Sequence, residues 1–125
     1  MENKKFIIQE GKVYYVIEKD KDTISVTKFW KPVTGFNNSY GHTVEFKVGT
    51  KRARVSRKNW VSEWATWRVP IKIAKNIAEN LFQKFEKIEK ETNEPKKKAL
   101  AIELAKSILN LVEEEAVEED AEYSE

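Results

Sequence analysis

Residues 12–30, KVYYVIEKDKDTISVTKFW, decide how this chain reads. Val13, Tyr15 and Ile17 alternate with Tyr14 and Val16, which is the period of a β-strand; both sets are apolar, so the strand reads as an interior one. Lys19-Asp20-Lys21-Asp22 is a polar turn. Thr23 to Trp30 is rich in β-branched and aromatic residues, with Ile24, Val26, Lys28 and Trp30 on one side. Upstream, residues 4–9 (KKFIIQ) form a short apolar run that ends at Glu10-Gly11. The three pieces predict an antiparallel meander.

Downstream the alternation resumes. Val44, Phe46 and Val48 point inward between Glu45 and Lys47. Gly49-Thr50 turns the chain. Lys51 to Ser56 then sets Ala53 and Val55 against Arg52, Arg54 and Ser56. Because alternate side chains share a face, this hairpin predicts a row of arginines on an open face of the sheet. Trp60, Trp64 and Trp67 are spaced 4 and 3, which predicts a short helix near residues 59–66 with Asn59 as its N-cap. The alternative is a further strand at residues 64–69. Residues 31–42, KPVTGFNNSYGH, read as a long loop carrying Phe36 and Tyr40, either as a lid on the core or as stacking rings.

From Pro70 the period changes. Ile71, Ala74, Ala78, Leu81, Phe85 and Ile88 recur at spacings of 3 and 4, the stripe of an amphipathic helix of about 20 residues. Thr92-Asn93-Glu94-Pro95 breaks it. Ala101, Leu104, Ile108 and Leu111 then mark a second helix, expected either to pack on the first or to form a short dimer seam. Residues 113–125, EEEAVEEDAEYSE, predict a disordered acidic tail. The expected architecture is α+β. An antiparallel sheet of about five strands packs against C-terminal helices, divided as residues 1–91 (sheet and covering helix), 92–112 (second helix) and 113–125 (tail).

The chain has 125 residues, 35% of them charged, and a net charge of +2. That figure hides an asymmetry: residues 1–70 carry +7, residues 71–110 carry +3 and residues 111–125 carry −8. A basic body therefore bears an acidic tail. There is no cysteine and one histidine, His42, so no thiolate site and no zinc or iron ligand set is expected. No apolar run approaches the ~18 residues of a membrane span, and no signal-peptide pattern opens the chain. The expectation is a soluble, cytoplasmic protein. No GxGxxG, GxxxxGK[ST] or GxSxG motif occurs. The chain reads as a non-enzyme that needs no cofactor.

The stretch 47–68, KVGTKRARVSRKNWVSEWATWR, concentrates what remains: seven basic residues, one acid and three of four tryptophans. Cations bind phosphates and flat rings stack on unpaired bases, so this composition points to single-stranded nucleic acid, either DNA or RNA. The candidate phosphate contacts are Lys47, Lys51, Arg52, Arg54, Arg57 and Lys58. The candidate rings are Trp30, Phe36, Tyr40, Trp60, Trp64 and Trp67. Each ring has a competing reading as core, which is the usual fate of aromatic stripes. The tail has three readings: a competitor for the basic surface, a docking segment for a partner protein, or a segment that serves solubility. The alternative for the whole chain is a protein-interaction module working through its C-terminal helix and tail.

A basic, aromatic sheet closed by an apolar C-terminal helix, with the run ARVSRKNWVSEW, resembles the Whirly and positive-cofactor coactivator group. The basic aromatic body followed by a Leu-rich helix is also similar to the ThermoDBP family of thermophilic archaea, and the tail to those of bacterial single-strand binders. These resemblances of layout imply single-stranded DNA binding by a homodimer. The strand Thr23–Trp30, the loop 31–42 and the second helix depart from the Whirly pattern, and no site residue carries over.

The Lys and Glu usage, with no cysteine and no methionine beyond Met1, matches proteins of hot environments. The expected outcome of a thermal melt is a midpoint above about 60 °C, beyond most mesophile domains; a lower midpoint removes this reading.

Overall fold

The computed structural model describes residues 4–30, 40–58 and 63–111, and for Trp30, Tyr40, Glu63 and Trp64 the backbone alone. Phe36, Asn59, Trp60 and the tail 113–125 lie outside the described residues. The elements are β1 (Lys4–Glu10), β2 (Val13–Lys19), β3 (Thr23–Trp30), β4 (Tyr40–Val48), β5 (Ala53–Lys58), β6 (Glu63–Val69), α1 (Ile71–Lys90) and α2 (Glu94–Asn110). The six strands form one sheet in chain order, every neighbouring pair antiparallel. The meander read from residues 4–30 therefore continues through to residue 69.

Two differences from the sequence reading stand out. The first is the sixth strand. Glu63–Val69 is a strand paired with β5, the alternative read at 64–69 and not the favoured helix near 59–66. Tryptophan spacing of 4 and 3 fits a helix, but Val69 precedes Pro70, and a residue before proline is held in extended conformation. Trp, Thr and Val also favour a pleated surface. The second is that Tyr40, Gly41 and His42 belong to β4 and not to a loop, because Tyr40 pairs with Trp30, Gly41 with Phe29 and His42 with Lys28.

Turn chemistry fixes the register. Gly11 has φ 64° at the first position of the two-residue β1–β2 loop, and no other described residue has a positive φ; this is the requirement of a II′ hairpin turn, whose twist matches the strands. Asp20 N–H donates to the Thr23 carbonyl at 2.8 Å, closing the β2–β3 turn. Gly49 N–H donates to the Arg52 carbonyl at 2.7 Å, closing the next hairpin.

One face of this sheet holds the core. Ile8, Tyr15, Ile17, Ile24, Val26, Val44, Phe46, Ala53, Val55, Trp67 and Val69 all lie on it, buried with Ala74, Ala78, Leu81, Phe85 and Ile88 of α1 and Ala101, Leu104, Ala105 and Ile108 of α2. Phe6 meets Phe85 at 4.9 Å between ring centroids. The apolar stripe of α2 is thus consumed within the chain and is not left as a dimer seam. Asn93 caps α2, its side chain accepting from Lys96 N–H at 3.0 Å, with Pro95 in the first turn. By contrast α1 begins at Pro70 with no side-chain cap and no acid in its first turn. Among the described residues no helix is long and apolar enough to cross a membrane.

Tyr15 lies at the rim of this core. Its hydroxyl donates to Glu10 Oε1 at 3.3 Å, and Lys106 Nζ approaches the same oxygen at 3.8 Å. Burial pushes the phenol above its ordinary value of 10.0, and the Glu10 carboxylate adds to the shift. A raised folded-state pKa holds the proton more tightly than the unfolded chain does. Its contribution is therefore complete below about pH 10 and is lost as pH rises through the folded value. Urea unfolding at pH 9 and pH 11 should show a steeper alkaline loss for the wild type than for Tyr15→Phe; equal losses would exclude Tyr15 as a source.

Candidate nucleic-acid interface

No described element packs on the other face of the sheet, since both helices lie against the core side. Register assigns this open face row by row. At one end Tyr14 pairs with Phe29 and Phe29 with Gly41. Next comes Ile7, Val16, Thr27, Thr43 and Lys58, then Lys5, Glu18, Ser25, Glu45, Ser56 and Thr66. The far row runs Thr23, Lys47, Arg54 and Arg68. The middle is a hydroxyl ladder: Thr27 Oγ1 and Thr43 Oγ1 are 2.8 Å apart, and Ser56 Oγ and Thr66 Oγ1 3.3 Å.

The two ends differ in chemistry. At the cationic end, Lys47, Arg54 and Arg68 stand side by side across β4, β5 and β6, all exposed. Lys51 and Arg52 join them from the hairpin turn. Together these five line an open basin of about 870 Å³ that also touches Ala53, Val69, Pro70 and Ile71. Among the described residues none of the five is paired with a carboxylate. The uncapped start of α1 borders the basin, so its first N–H groups add partial positive charge on the same side. Five like charges held together repel one another, and an anion in the basin would relieve that.

At the other end the rings of Tyr14 and Phe29 stack, 5.3 Å between centroids and 15° between planes. Gly41 makes room for this pair. A Cβ there would lie 2.6 Å from Phe29 Cβ and closer still to the Lys28 carbonyl oxygen. Phe29 is six residue steps along β3 from Thr23, or about 20 Å of sheet between rings and cations.

The remaining expected site residues fall elsewhere. Lys58 is on the open face but sits 3.5 Å from Glu45, which partly neutralises it. Arg57 shares parity with Val55 and lies on the helix-covered face, its guanidinium 6.0 Å from the Trp67 ring centroid. Trp67 is buried at 7% exposure and offers no ring face to a ligand. Trp30 and Tyr40 are paired backbone positions, and Trp64 is in β6. Phe36 and Trp60 lie outside the described residues. The structure thus brings together Lys47, Lys51, Arg52 and Arg54, and it adds Arg68, Tyr14 and Phe29. Strand parity alone, applied to residues 13–17, 23–30 and 65–69, is the signal that finds these three. Among the described residues no group of three or more His, Asp or Glu side chains could hold a metal ion.

No protein-family profile, no curated protein and no solved structure matches this chain.

Gly41→Ala forces backbone or Phe29 to shift. The expected cost is about 1–3 kcal/mol, typical of overpacking, read as a lower urea midpoint; an unchanged midpoint would show that the Phe29–Gly41 contact is slack.

Proposed function

We propose that this protein binds single-stranded nucleic acid, DNA being the first substrate to test, with little regard to sequence and through the open face of its sheet. The observation that carries this reading is the basin: five cations without carboxylate partners among the described residues, contiguous with a sheet face that no described helix covers. Lys47, Lys51, Arg52, Arg54 and Arg68 would take backbone phosphates. Tyr14 and Phe29, at the far end of the same face, are placed to stack on bases. Stacking of this kind contributes ~1–3 kcal/mol per base and tolerates any base. Duplex DNA exposes no base faces, so the ring pair favours single strands. The basin alone would serve either form.

The stretch 47–58, legible as basic from sequence, supports the same reading from the other direction. The interaction-module alternative loses one support, because the stripe of α2 it would use is buried against the sheet.

The test is fluorescence anisotropy with labelled single-stranded and duplex oligonucleotides over a range of salt. Five phosphate contacts predict a slope of log K against log[salt] of roughly −3.5 for single strands, at about −0.7 per contact. Arg54→Ala and Arg68→Ala should each weaken binding and flatten that slope by about 0.7, while the melting temperature stays put because both side chains are exposed. Absence of binding at low salt, preference for duplex, or a slope indifferent to these substitutions would overturn the proposal.

A further inference from the structure

Among the described residues β1 is an edge strand with one neighbour, β2, so the backbone groups on its outer side have no strand partner there. Natural edges are blunted by charged side chains, lysine above all, or by proline, a bulge or an inward charge. β1 carries charges only at its ends, Lys4, Lys5 and Glu10; its register with β2 is unbroken from Lys4 to Glu10, it holds no proline, and its centre, Phe6-Ile7-Ile8, is apolar. Ile7 is 65% exposed on the open face, the most exposed large apolar side chain described. On the other face a hollow of about 290 Å³ runs beside the strand, lined in part by Phe6, Ile8, Ile88 and Ala101.

The strand is complementary to itself. If two copies of KKFIIQE pair antiparallel about a two-fold axis through Ile7, Lys4 faces Glu10 of the second copy, Lys5 faces Gln9, Phe6 faces Ile8, and the two Ile7 side chains meet. Lys4 meets an opposite charge, Lys5 a neutral polar side chain, and apolar side chains meet only apolar ones. Moving the axis to Phe6 sets Lys4 against Ile8 and Lys5 against Ile7. Moving it to Ile8 sets Phe6 against Glu10 and Ile7 against Gln9. A one-residue slip would place the helices of the two copies on opposite sides of the joined sheet. Neighbouring charges reinforce the matched register: Lys4 already holds Glu89 at 2.9 Å and Glu10 holds Lys106 at 3.8 Å, so pairing interleaves cations with carboxylates.

We infer that β1 is a homodimerisation edge, through which two copies join their sheets into one of twelve strands with the two-fold axis at Ile7. The helices of both copies lie on one side of that sheet and both open faces on the other. The second edge, β6, borders the cation basin and stays at the two extremities. This inference stands apart from nucleic-acid binding and holds or fails without it.

Sedimentation velocity across micromolar to sub-millimolar concentration should show a monomer–dimer equilibrium. Ile7→Lys should weaken it by about tenfold or more, the equivalent of ~1.4 kcal/mol, with the melting curve of the monomer unchanged because Ile7 is exposed. The register is tested by crosslinking. The chain has no cysteine, so Ile7→Cys introduces its one thiol at a position where antiparallel pairing sets the two Cα atoms about 4.5–5.5 Å apart, within disulfide range. Mild oxidation should convert Ile7→Cys to a covalent dimer, while Gln9→Cys, on the same face but opposite Lys5 of the second copy, should remain largely uncrosslinked. A wild type that is monomeric throughout overturns the inference. So does a dimer that survives Ile7→Lys, or crosslinking as complete for Gln9→Cys as for Ile7→Cys.

Discussion

Contact between the apolar side of the sheet and the two helices is what the rest of the molecule hangs from. Ile17, Ile24, Val26, Val44, Phe46 and Val55 are shielded by Leu81, Phe85, Ile88, Leu104 and Ile108, most of them wholly out of water. Each such side chain contributes about 1.5–3 kcal/mol when fully buried, which together dwarfs the exposed ion pairs at Lys4, Lys58 and Lys106. A six-stranded sheet with one covered face leaves the opposite face to carry polar and charged groups. The hydroxyl ladder and the cation row are therefore consequences of where the helices sit. Strand parity that buries Val55 must turn Arg54 outward, and parity that buries Trp67 must turn Arg68 outward beside it.

Much of this was legible in residue order. A short apolar run marked the first strand and alternation the next four, and the 3–4 spacing of Ala74, Ala78, Leu81, Phe85 and Ile88 marked α1 to within two residues of its end. The sixth strand stood only as the alternative because Trp60, Trp64 and Trp67 mimic a helical stripe, and the extended geometry enforced before Pro70 is what argues for it. Tyr40 to His42 looked like loop because Gly41 reads as a turn residue. Its actual role depends on Phe29, twelve residues earlier in a register that sequence does not print.

The candidate interface was half legible for a similar reason. Lys47, Arg52 and Arg54 follow from alternation in one hairpin. Arg57 was grouped with them by sequence proximity, but it is an odd number of residues from Arg54 and so falls on the covered side with Trp67. Tyr14 and Phe29 were passed over because an apolar residue on the second face of an interior strand suggests burial on both sides. The helices cover only one. Composition located the basic segment, but strand pairing was needed to add Arg68 to Lys47 and Arg54, because β6 had to be a strand before its outward residues could be counted.

The order of the strands along the sheet has a consequence for synthesis. Every strand pairs with its predecessor, so the sheet can zip up from residue 4 as the chain leaves the ribosome. The segments that roof it, residues 71–110, are made only after all six strands. At ~5–20 residues per second, the greasy underside of a finished sheet would stand bare for several seconds before its roof arrives. Nascent chains of this topology would therefore be natural clients for ribosome-bound chaperones.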